Sequence, residues 1–346
     1  MKIGMKQETV RYMKVSIFDV AKKAGLSVVT VSRVLNHSSS VRQKNREKVL
    51  QAMKELDYHP NASARSLASG KTGIIGLTLA TLHDSVLDAV VQEINASLAE
   101  HGYFLALSIS QGDEESFRRS MFQEDRVDGV ILLSPVNSDI YAMELKKRKI
   151  PFVILDSQQR NLSVSMVFVN NFKGGYEATK HLIDLGHTEI AYLSGPESFL
   201  SSRERERGYV FAHEEAGIEP FGVEPGEFNI SSGYRAASRW IESGRLPTAV
   251  FAADDFIALG VMDAFKNAGI QIPRDVSIIG FDDQIYASEF RPRLTTVRQP
   301  VEKIGKQGVD ILLKLIKDPS KRNVTVEFDP ELIVRETTGF PRSKRV

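Results

Sequence analysis

Polar and charged side chains follow most of the short apolar segments of this chain, and these are the residues best suited to chemistry. They come directly after runs such as PFVIL and AVFAA. The set comprises His83 and Asp84, Asp156 and Ser157, Asn170, Asp254 and Asp255, and Asp282 and Asp283, with Arg203, Arg205 and Arg207 at the start of a later helical segment. Carboxylates, amides and guanidinium groups make directional hydrogen bonds to hydroxyl groups, so this set suits a polyhydroxylated small molecule.

The same residues also have simpler interpretations. An aspartate at a strand end can cap the next helix, and arginines on a helix surface are commonly solvated. Paired aspartates could bind a metal or act as acid and base, but no histidine neighbours them at metal-ligand spacing. We interpret His181, His187 and His213 as structural. Nucleotide-cradling and nucleophile-elbow motifs do not occur, so we expect neither an enzyme nor a cofactor or metal site.

The elements that would position these side chains are short apolar strands alternating with helical segments, the pattern of a parallel sheet in an α/β fold. The first series is GIIGLTLA, YFLALSI, GVILLS, PFVILD and MVFVN, and the second is TEIAYLSG, EFNI, AVFAADD and DVSIIGFDD. Helices are predicted over about 203–216 and 301–317, and the late strands VTVEFD and ELIVRETT complete both lobes. Ligands of such sheets bind at the carboxyl ends of the strands, where the polar residues lie.

The N-terminal part has a different pattern, that of three short helices. In SIFDVAKKAGLS, Ser16 and Asp19 form a capping box and Gly25 ends the helix. Ser27 begins a second helix almost at once, and a third is predicted over about 43–56. Two helices joined by a turn that contains glycine indicate a helix-turn-helix bundle.

Charge is distributed unevenly between these two parts. Residues 1–72 carry 14 lysines and arginines against 5 aspartates and glutamates, a net charge of +9, and the remainder carries 31 against 39, a net charge of −8. A basic segment on an acidic body indicates nucleic-acid binding, although a solvated tail would look the same.

The overall composition is that of a globular protein in a reducing compartment. The chain has 346 residues, no cysteine and an apolar fraction of 42%. The apolar runs are too short to span a membrane, and the polar N-terminus is unlike a signal peptide. We expect residues 1–14 to be a disordered extension and the protein to be cytoplasmic.

The chain closely resembles the LacI/GalR family of bacterial transcriptional regulators. The resemblance runs from about Met13 to Phe340, through SIFDVAKKAGLSVVTVSRVLN, HLIDLGHTEIAYLSG, AVFAADDFIALGVMDAF, IPRDVSIIGFDD and PRLTTVRQP. It implies an all-α helix-turn-helix headpiece and a two-lobed effector core of the type I periplasmic-binding-protein-like fold. The implied domains are a headpiece at 15–60, a hinge helix or linker at 61–72, an N-terminal lobe of 73–170 with about 300–330, and a C-terminal lobe of about 171–299 with about 331–340.

The resemblance assigns the DNA contacts to the second helix, its surroundings and the hinge. The implied contact residues are Ser27, Val28, Val29, Thr30, Ser32, Arg33, Asn36, Arg42, Asn45, Asn61, Ala64 and Leu67. Valines at two base-reading positions can pack on thymine methyl groups, and an arginine can pair with guanine. Packing in the headpiece core is the alternative for the valines. Leu67 matches the hinge leucine that wedges into the minor groove. Arg42 stands where relatives often have a capping serine or threonine, so we expect a phosphate contact there.

The resemblance also assigns effector contacts within the core. The implied residues are Val86, Leu87, Asp156, Arg205, Asp254 and Asp282. Many relatives have an aromatic platform where this chain has Val86 and Leu87, and its loss weakens the assignment of a particular sugar.

The resulting hypothesis is a repressor that binds a palindromic operator as a homodimer and responds to a sugar or sugar derivative between the lobes. No leucine heptad follows ELIVRETTGF, which favours a dimer over a tetramer. The alternatives are a regulator with a corepressor protein or a phosphorylated metabolite as its effector, and a transport-type sugar-binding protein. The basic N-terminal part argues against the transport role.

Overall fold

The chain forms two compact units, Met1–Thr72 and Gly73–Val346, in a computed structural model. The structure describes residues 15–35, 38, 40–58, 71–79, 81, 85–110, 126–135, 138–157 and 163–342. The predicted extension at 1–14 and all but the last two residues of the predicted hinge lie outside these ranges.

Three helices make up the described part of the first unit: α1 (Ile17–Ala24), α2 (Val28–Leu35) and α3 (Gln43–Glu55). The predicted capping box begins α1, since Ser16 Oγ accepts from the Asp19 amide and the Asp19 carboxylate accepts from the Ser16 amide. Gly25 ends α1 with a φ of 65°, which favours glycine. The buried side chains Val20, Ala21, Ala24, Val31, Val34, Val49, Ala52 and Tyr58 form the core of this unit.

Twelve strands are described in the second unit. They are β1 (Ile74–Leu79), β2 (Phe104–Ile109), β3 (Gly129–Leu133), β4 (Phe152–Leu155), β5 (Met166–Val169), β6 (Ile190–Leu193), β7 (Gly222–Glu224), β8 (Ala249–Ala252), β9 (Ser277–Asp282), β10 (Thr295–Arg298), β11 (Thr325–Phe328) and β12 (Glu331–Ile333). The helices between them are α4 (Ser85–Glu100), α5 (Ser138–Lys147), α6 (Asn171–Asp184), α7 (Leu200–Ala216), α8 (Ile230–Ser243), α9 (Asp255–Asn267), α10 (Ile285–Glu289) and α11 (Val301–Lys317).

The strands form two six-stranded sheets, one in each lobe. The N-lobe sheet has the order β11-β5-β4-β3-β1-β2, and the C-lobe sheet has the order β12-β10-β9-β8-β6-β7. Apolar residues fill both lobes, with Phe251 and Phe281 in the C-lobe core and Ile75 and Leu77 in the N-lobe core. This is the two-lobed α/β core expected from the sequence.

One strand departs from the expected parallel arrangement. β12 pairs antiparallel with β10, whereas the other strand pairs of both sheets are parallel. β11 ends at the carboxyl edge of its own sheet, and only Asp329 and Pro330 separate it from β12. The chain therefore enters the second sheet at that sheet's carboxyl edge and must run in the opposite direction.

The strand predicted at EFNI, residues 227–230, is wrong. The edge strand is β7, and Asn229 instead caps α8, because its side-chain oxygen accepts from the Ser232 amide at 2.9 Å. An asparagine that satisfies a free amide at a helix start outweighs a weak strand pattern over four residues.

Candidate functional site

The second helix of the first unit has one buried and one exposed side. Val31 and Val34 point into the core, and Val29 is 60% exposed. Val28 is half-buried and packs against the core cluster. The two valines therefore differ: Val29 is available for a base contact, and Val28 fits the core-packing alternative as well. Arg33 is exposed.

Several neighbouring positions have local roles in holding this helix. Ser27 Oγ accepts from the Thr30 amide at 3.2 Å and lies 2.9 Å from Thr30 Oγ1, so Ser27 is the N-cap of α2. Arg42 makes no side-chain cap to α3 and is exposed, and its phosphate contact stays a prediction. Ser32 and Asn45 are half-buried. The other predicted DNA contacts, Asn36, Asn61, Ala64 and Leu67, lie outside the described residues, as do His83 and Asp84.

A cavity of about 320 Å³ lies at the carboxyl ends of the strands of both sheets. It is lined by Thr81, Val86, Leu87, Ser134, Asp156, Pro196, Phe199, Ser201, Arg205, Glu227, Phe228, Asn229, Asp282 and Gln299. Five of the six predicted effector residues are among them: Val86, Leu87, Asp156, Arg205 and Asp282. Its volume is at the lower end of the range of small-molecule sites in proteins.

Arg205 is fixed in the wall of this cavity by four contacts. Its Nε donates to Asn171 Oδ1 at 2.9 Å, and its Nη1 donates to the Ala253 carbonyl at 2.6 Å. Its Nη2 lies 3.4 Å from Asp282 Oδ1, and its guanidinium carbon lies 3.6 Å from the ring centroid of Phe281. With only 4% of its surface exposed, the arginine is held in one orientation before any ligand binds.

Close packing of two helices sets the position of Arg205. A side chain at Gly175 on α6 would place its Cβ 2.2 Å from the Arg205 carbonyl oxygen on α7. Gly208 on α7 approaches the Phe172 carbonyl equally closely. The two helix backbones therefore touch, and only glycine permits this contact.

Two residues on the N-lobe side of the cavity have unusual backbone conformations. Ser134 has a φ of 45° and Asp156 a φ of 55°, in the region that side chains seldom adopt. The Ser134 hydroxyl donates to Asp156 Oδ2, so the two strand ends are joined by a side-chain hydrogen bond. Non-glycine residues held in this region cluster at functional sites in proteins.

The structure does not bring Asp254 to the cavity, contrary to the sequence expectation. Asp254 is buried and caps α9, where its Oδ1 accepts from the Ile257 amide at 2.7 Å. A carboxylate engaged at a helix N-terminus is the simpler of the two interpretations that the sequence left open.

The neighbouring Asp255 is fully buried beneath the cavity wall. Its carboxylate accepts from Thr296 Oγ1 at 2.6 Å and from the Gln284 amide at 2.8 Å. Burial, with the nearby charge of Asp282, raises the pKa of Asp255 well above its ordinary value, against the lowering effect of these hydrogen bonds. Asp283 pairs instead with Arg298 and Arg335, at 2.7 and 2.6 Å.

Sequence reasoning missed some residues of this site. Ser134 and Gln299 each follow a strand, so the rule that identified Asp156 could also have identified them. Phe199 and Phe228 come from loops, where no periodic pattern indicates which way a side chain faces. Within the described ranges, no group of three or more histidine, aspartate or glutamate side chains could hold a metal ion. None of the described helices is long and apolar enough to cross a membrane.

A helix-turn-helix unit joined to a two-lobed core with a polar cavity defines a class of ligand-responsive DNA-binding regulators. Two sequence profiles match the chain: "Bacterial regulatory proteins, lacI family" over residues 16–61 and "Periplasmic binding protein-like domain" over residues 179–338. The HTH-type transcriptional repressor PurR of Photobacterium profundum is 34% identical over 328 residues, which cover 93% of this chain and 98% of that protein.

Solved structures of LacI-type regulators are also similar to this chain. The Lac repressor dimer bound to operator and the anti-inducer ONPF has a TM-score of 0.86 and 31% identity, covering 94% of this chain and 99% of that one. The complex of the transcriptional regulator CelR with cellobiose has a TM-score of 0.71 and 30% identity, covering 93% and 99%. The chain belongs to the LacI family and is a transcriptional repressor, not an enzyme.

Proposed function

We propose that this repressor binds its operator as a homodimer and responds to a neutral polyhydroxylated effector, a sugar or sugar derivative, in the cavity between its lobes. The observation that carries the effector class is the lining of that cavity. Carboxylates, serine and threonine hydroxyls and amides surround an immobilised arginine, and these groups suit hydroxyl ligands.

The charge of the cavity disfavours the alternative of a phosphorylated effector. Asp156, Glu227 and Asp282 contribute three carboxylates, and Arg205 is already beside Asp282. A phosphate would add negative charge to a lining that is already acidic, and the described residues of that lining include no unpaired arginine to bind the phosphate oxygens.

Two aromatic rings support a cyclic ligand. Phe199 and Phe228 both line the cavity, and their ring centroids are 5.9 Å apart. They supply, from the C-lobe, an apolar surface on which a sugar ring can rest, in place of the platform that Val86 and Leu87 do not provide. The CelR complex with cellobiose is a precedent for a saccharide ligand in a structurally similar chain.

For the DNA, we propose that α2 enters the major groove with Val29 and Arg33 facing the bases. Arg33→Ala should cost about 1–3 kcal/mol on the operator and relax one base preference. Arg42→Ala should weaken operator and random DNA equally, because phosphate contacts carry no sequence information. Equal losses on both DNAs for Arg33→Ala would remove it from base recognition.

A repressor acts where its DNA is, so we retain the cytoplasm as its proposed location.

Two exposed apolar areas favour a homodimer. One, the C-lobe apolar face, consists of Ile230, Tyr234, Ile285, Tyr286 and Phe290, with Ile285 68% exposed. The other is the outer strand β2 of the N-lobe sheet, where Phe104 is 76% exposed. Apolar patches of this kind mark interaction sites, and a palindromic operator calls for two copies of the headpiece.

The effector proposal is tested by calorimetry with matched ligands. The purified repressor is titrated with neutral mono- and disaccharides, cellobiose among them, and with their phosphates. We expect saturable binding of at least one neutral sugar, at least about tenfold weaker binding of its phosphate, and loss of binding in Asp156→Asn but not in the exposed control Asp139→Asn. Tighter binding of a sugar phosphate would contradict the proposal.

A further inference from the structure

A second and larger cleft lies in the C-lobe beside α7. Its volume is about 1050 Å³, and its opposite wall is formed by Val223 of β7 and by the loops after β6 and β7, residues 194–198 and 225–227. Ser202, Glu206, Val210 and Glu214 line it at intervals of four residues, so they form one row along the helix. We call this space the acidic cleft.

The charges that line the acidic cleft are unbalanced. Four carboxylates line it, those of Glu197, Glu206, Glu214 and Glu227, and none forms an ion pair with another side chain in the part of the chain that the structure describes. The two arginines of the lining are engaged within the protein. Arg207 contacts both carboxylate oxygens of Glu204, at 2.6 and 2.7 Å, and Arg203 donates to the Glu197 carbonyl.

Glu206 is the second residue of this row and is partly buried. Burial, followed by the repulsion of the Glu197 carboxylate, raises the pKa of Glu206. A cation placed between these two carboxylates would relieve the repulsion. The acidic cleft therefore gains electrostatic stabilisation from a positively charged occupant and loses it with a negatively charged one.

A second observation points to a ligand. Ser202 lines the acidic cleft with only 2% of its surface exposed, and its Oγ has no hydrogen-bond partner among the described residues. A buried hydroxyl without a partner carries a desolvation cost, which a hydrogen-bond donor or acceptor in the cleft would offset. It lies one helical turn before Glu206, so a single ammonium group is suited to contact both.

The rest of the lining is apolar. Phe172, Val210, Phe211 and Val223 line the same space, and Phe211 and Val223 are exposed to solvent. A small inorganic cation would leave this surface uncovered. An organic ammonium ion with an attached ring or alkyl group would cover it and neutralise the carboxylates at once.

We propose that the acidic cleft is a second ligand site of this repressor, for an organic amine that carries an apolar group, with its ammonium between Glu197, Glu206 and Ser202. The site is distinct from the cavity between the lobes, although Pro196 and Glu227 line both. The proposal does not depend on the identity of the effector or on the dimer.

The test is calorimetric titration of the full chain with benzylamine and its neutral isostere benzyl alcohol. We expect saturable binding of benzylamine, at least about tenfold weaker binding of benzyl alcohol, and a similar loss of benzylamine affinity in Glu206→Gln. Glu242→Gln, an exposed glutamate on α8, is the matched control and should bind benzylamine as the unaltered protein does. Spermidine, a cation without a ring, should bind more weakly than benzylamine.

A second variant separates binding from stability. Ser202→Ala removes a buried hydroxyl without a partner, so its melting temperature should be unchanged or higher while benzylamine binds several-fold more weakly. Equal affinity for benzylamine and benzyl alcohol would overturn the proposal. So would an unchanged benzylamine affinity in both Glu206→Gln and Ser202→Ala, or the absence of saturable benzylamine binding.

Discussion

Gln299 Nε2 donates a hydrogen bond to Asp282 Oδ1 at 2.6 Å, and this contact joins the effector cavity to the short segment between β10 and α11, which crosses between the lobes. Gln299 directly follows β10 of the C-lobe sheet, and α11, which starts two residues later, packs on β3, β4 and β5 of the N-lobe. An effector that bonds Asp282 Oδ1 would compete with Gln299 for that oxygen, and its binding would then alter the segment between the lobes.

Gln299→Ala should therefore reduce the coupling between effector and operator more than it reduces effector affinity. The ratio of operator affinities with and without saturating effector should fall by roughly tenfold, the equivalent of one hydrogen bond to a charged group. Fluorescence anisotropy on labelled operator measures this ratio, and calorimetry measures effector affinity. An unchanged ratio would show that the segment between β10 and α11 does not transmit the signal.

Arg205→Ala should abolish effector binding and also destabilise the protein. Removing the guanidinium takes a charged partner away from the buried Asp282 and a donor away from the Ala253 carbonyl, at a cost of roughly 3 kcal/mol. Arg207→Ala, two residues along the same helix and exposed, should change neither property measurably. Urea unfolding measures the stability of both variants, and calorimetry measures their effector affinity. An Arg205→Ala protein of normal stability would contradict the contacts seen here.

Alanine substitutions at the two valines that begin α2 should affect operator binding and protein stability differently. Val29→Ala should weaken operator binding with little change in stability, because this side chain is largely exposed. Val28→Ala should affect both, because Val28 also packs on the headpiece core. Thermal unfolding and operator titration are measured on each variant. A strong loss of stability in Val29→Ala would place that side chain in the core.

Ionisation of the buried Asp255 should lower the free energy of unfolding as the pH rises. Its folded-state pKa is raised above the ordinary value of 3.8, so the folded protein retains the proton longer than the unfolded chain does. The stabilisation is complete below about pH 3.8 and is lost as the pH rises towards the folded-state pKa. Asp255→Asn cannot ionise, so its stability relative to the unaltered protein should be greater at about pH 8 than at about pH 5.

The control for this measurement is Asp263→Asn, an exposed aspartate on the same helix. Its stability difference from the unaltered protein should not change between the two pH values in urea unfolding. A difference for Asp255→Asn that stays constant with pH would mean that Asp255 is ionised in the folded protein.

Ile285→Asp should weaken the proposed homodimer. A charge on the C-lobe apolar face cannot be buried without a partner, whereas the same change at Ile140, exposed on α5, should leave association intact. Sedimentation velocity over a range of concentrations gives the dissociation constants. Equal association of the two variants would show that this face is not the interface.

The periodic elements of this fold could be predicted from the sequence, because hydrophobic spacing is a local property. The helix expected over 301–317 is α11, and the capping box of Ser16 and Asp19 is present. The direction of β12 could not be predicted, since it depends on the edge at which the chain enters the second sheet. The role of Asp254 also depends on tertiary structure, because strand-end aspartates that cap a helix and those that line a cavity have the same sequence pattern.

The late position of β11 and β12 in the chain has a consequence for biosynthesis. Residues 325–333 supply the last strand to both sheets, after every other described strand has been made. On the ribosome, neither lobe has its complete sheet until this segment has emerged, although the helix-turn-helix segment was translated first. A nascent chain can thus carry a finished DNA-reading surface before it carries a finished sensor, and premature termination before residue 325 would remove a strand from both lobes at once.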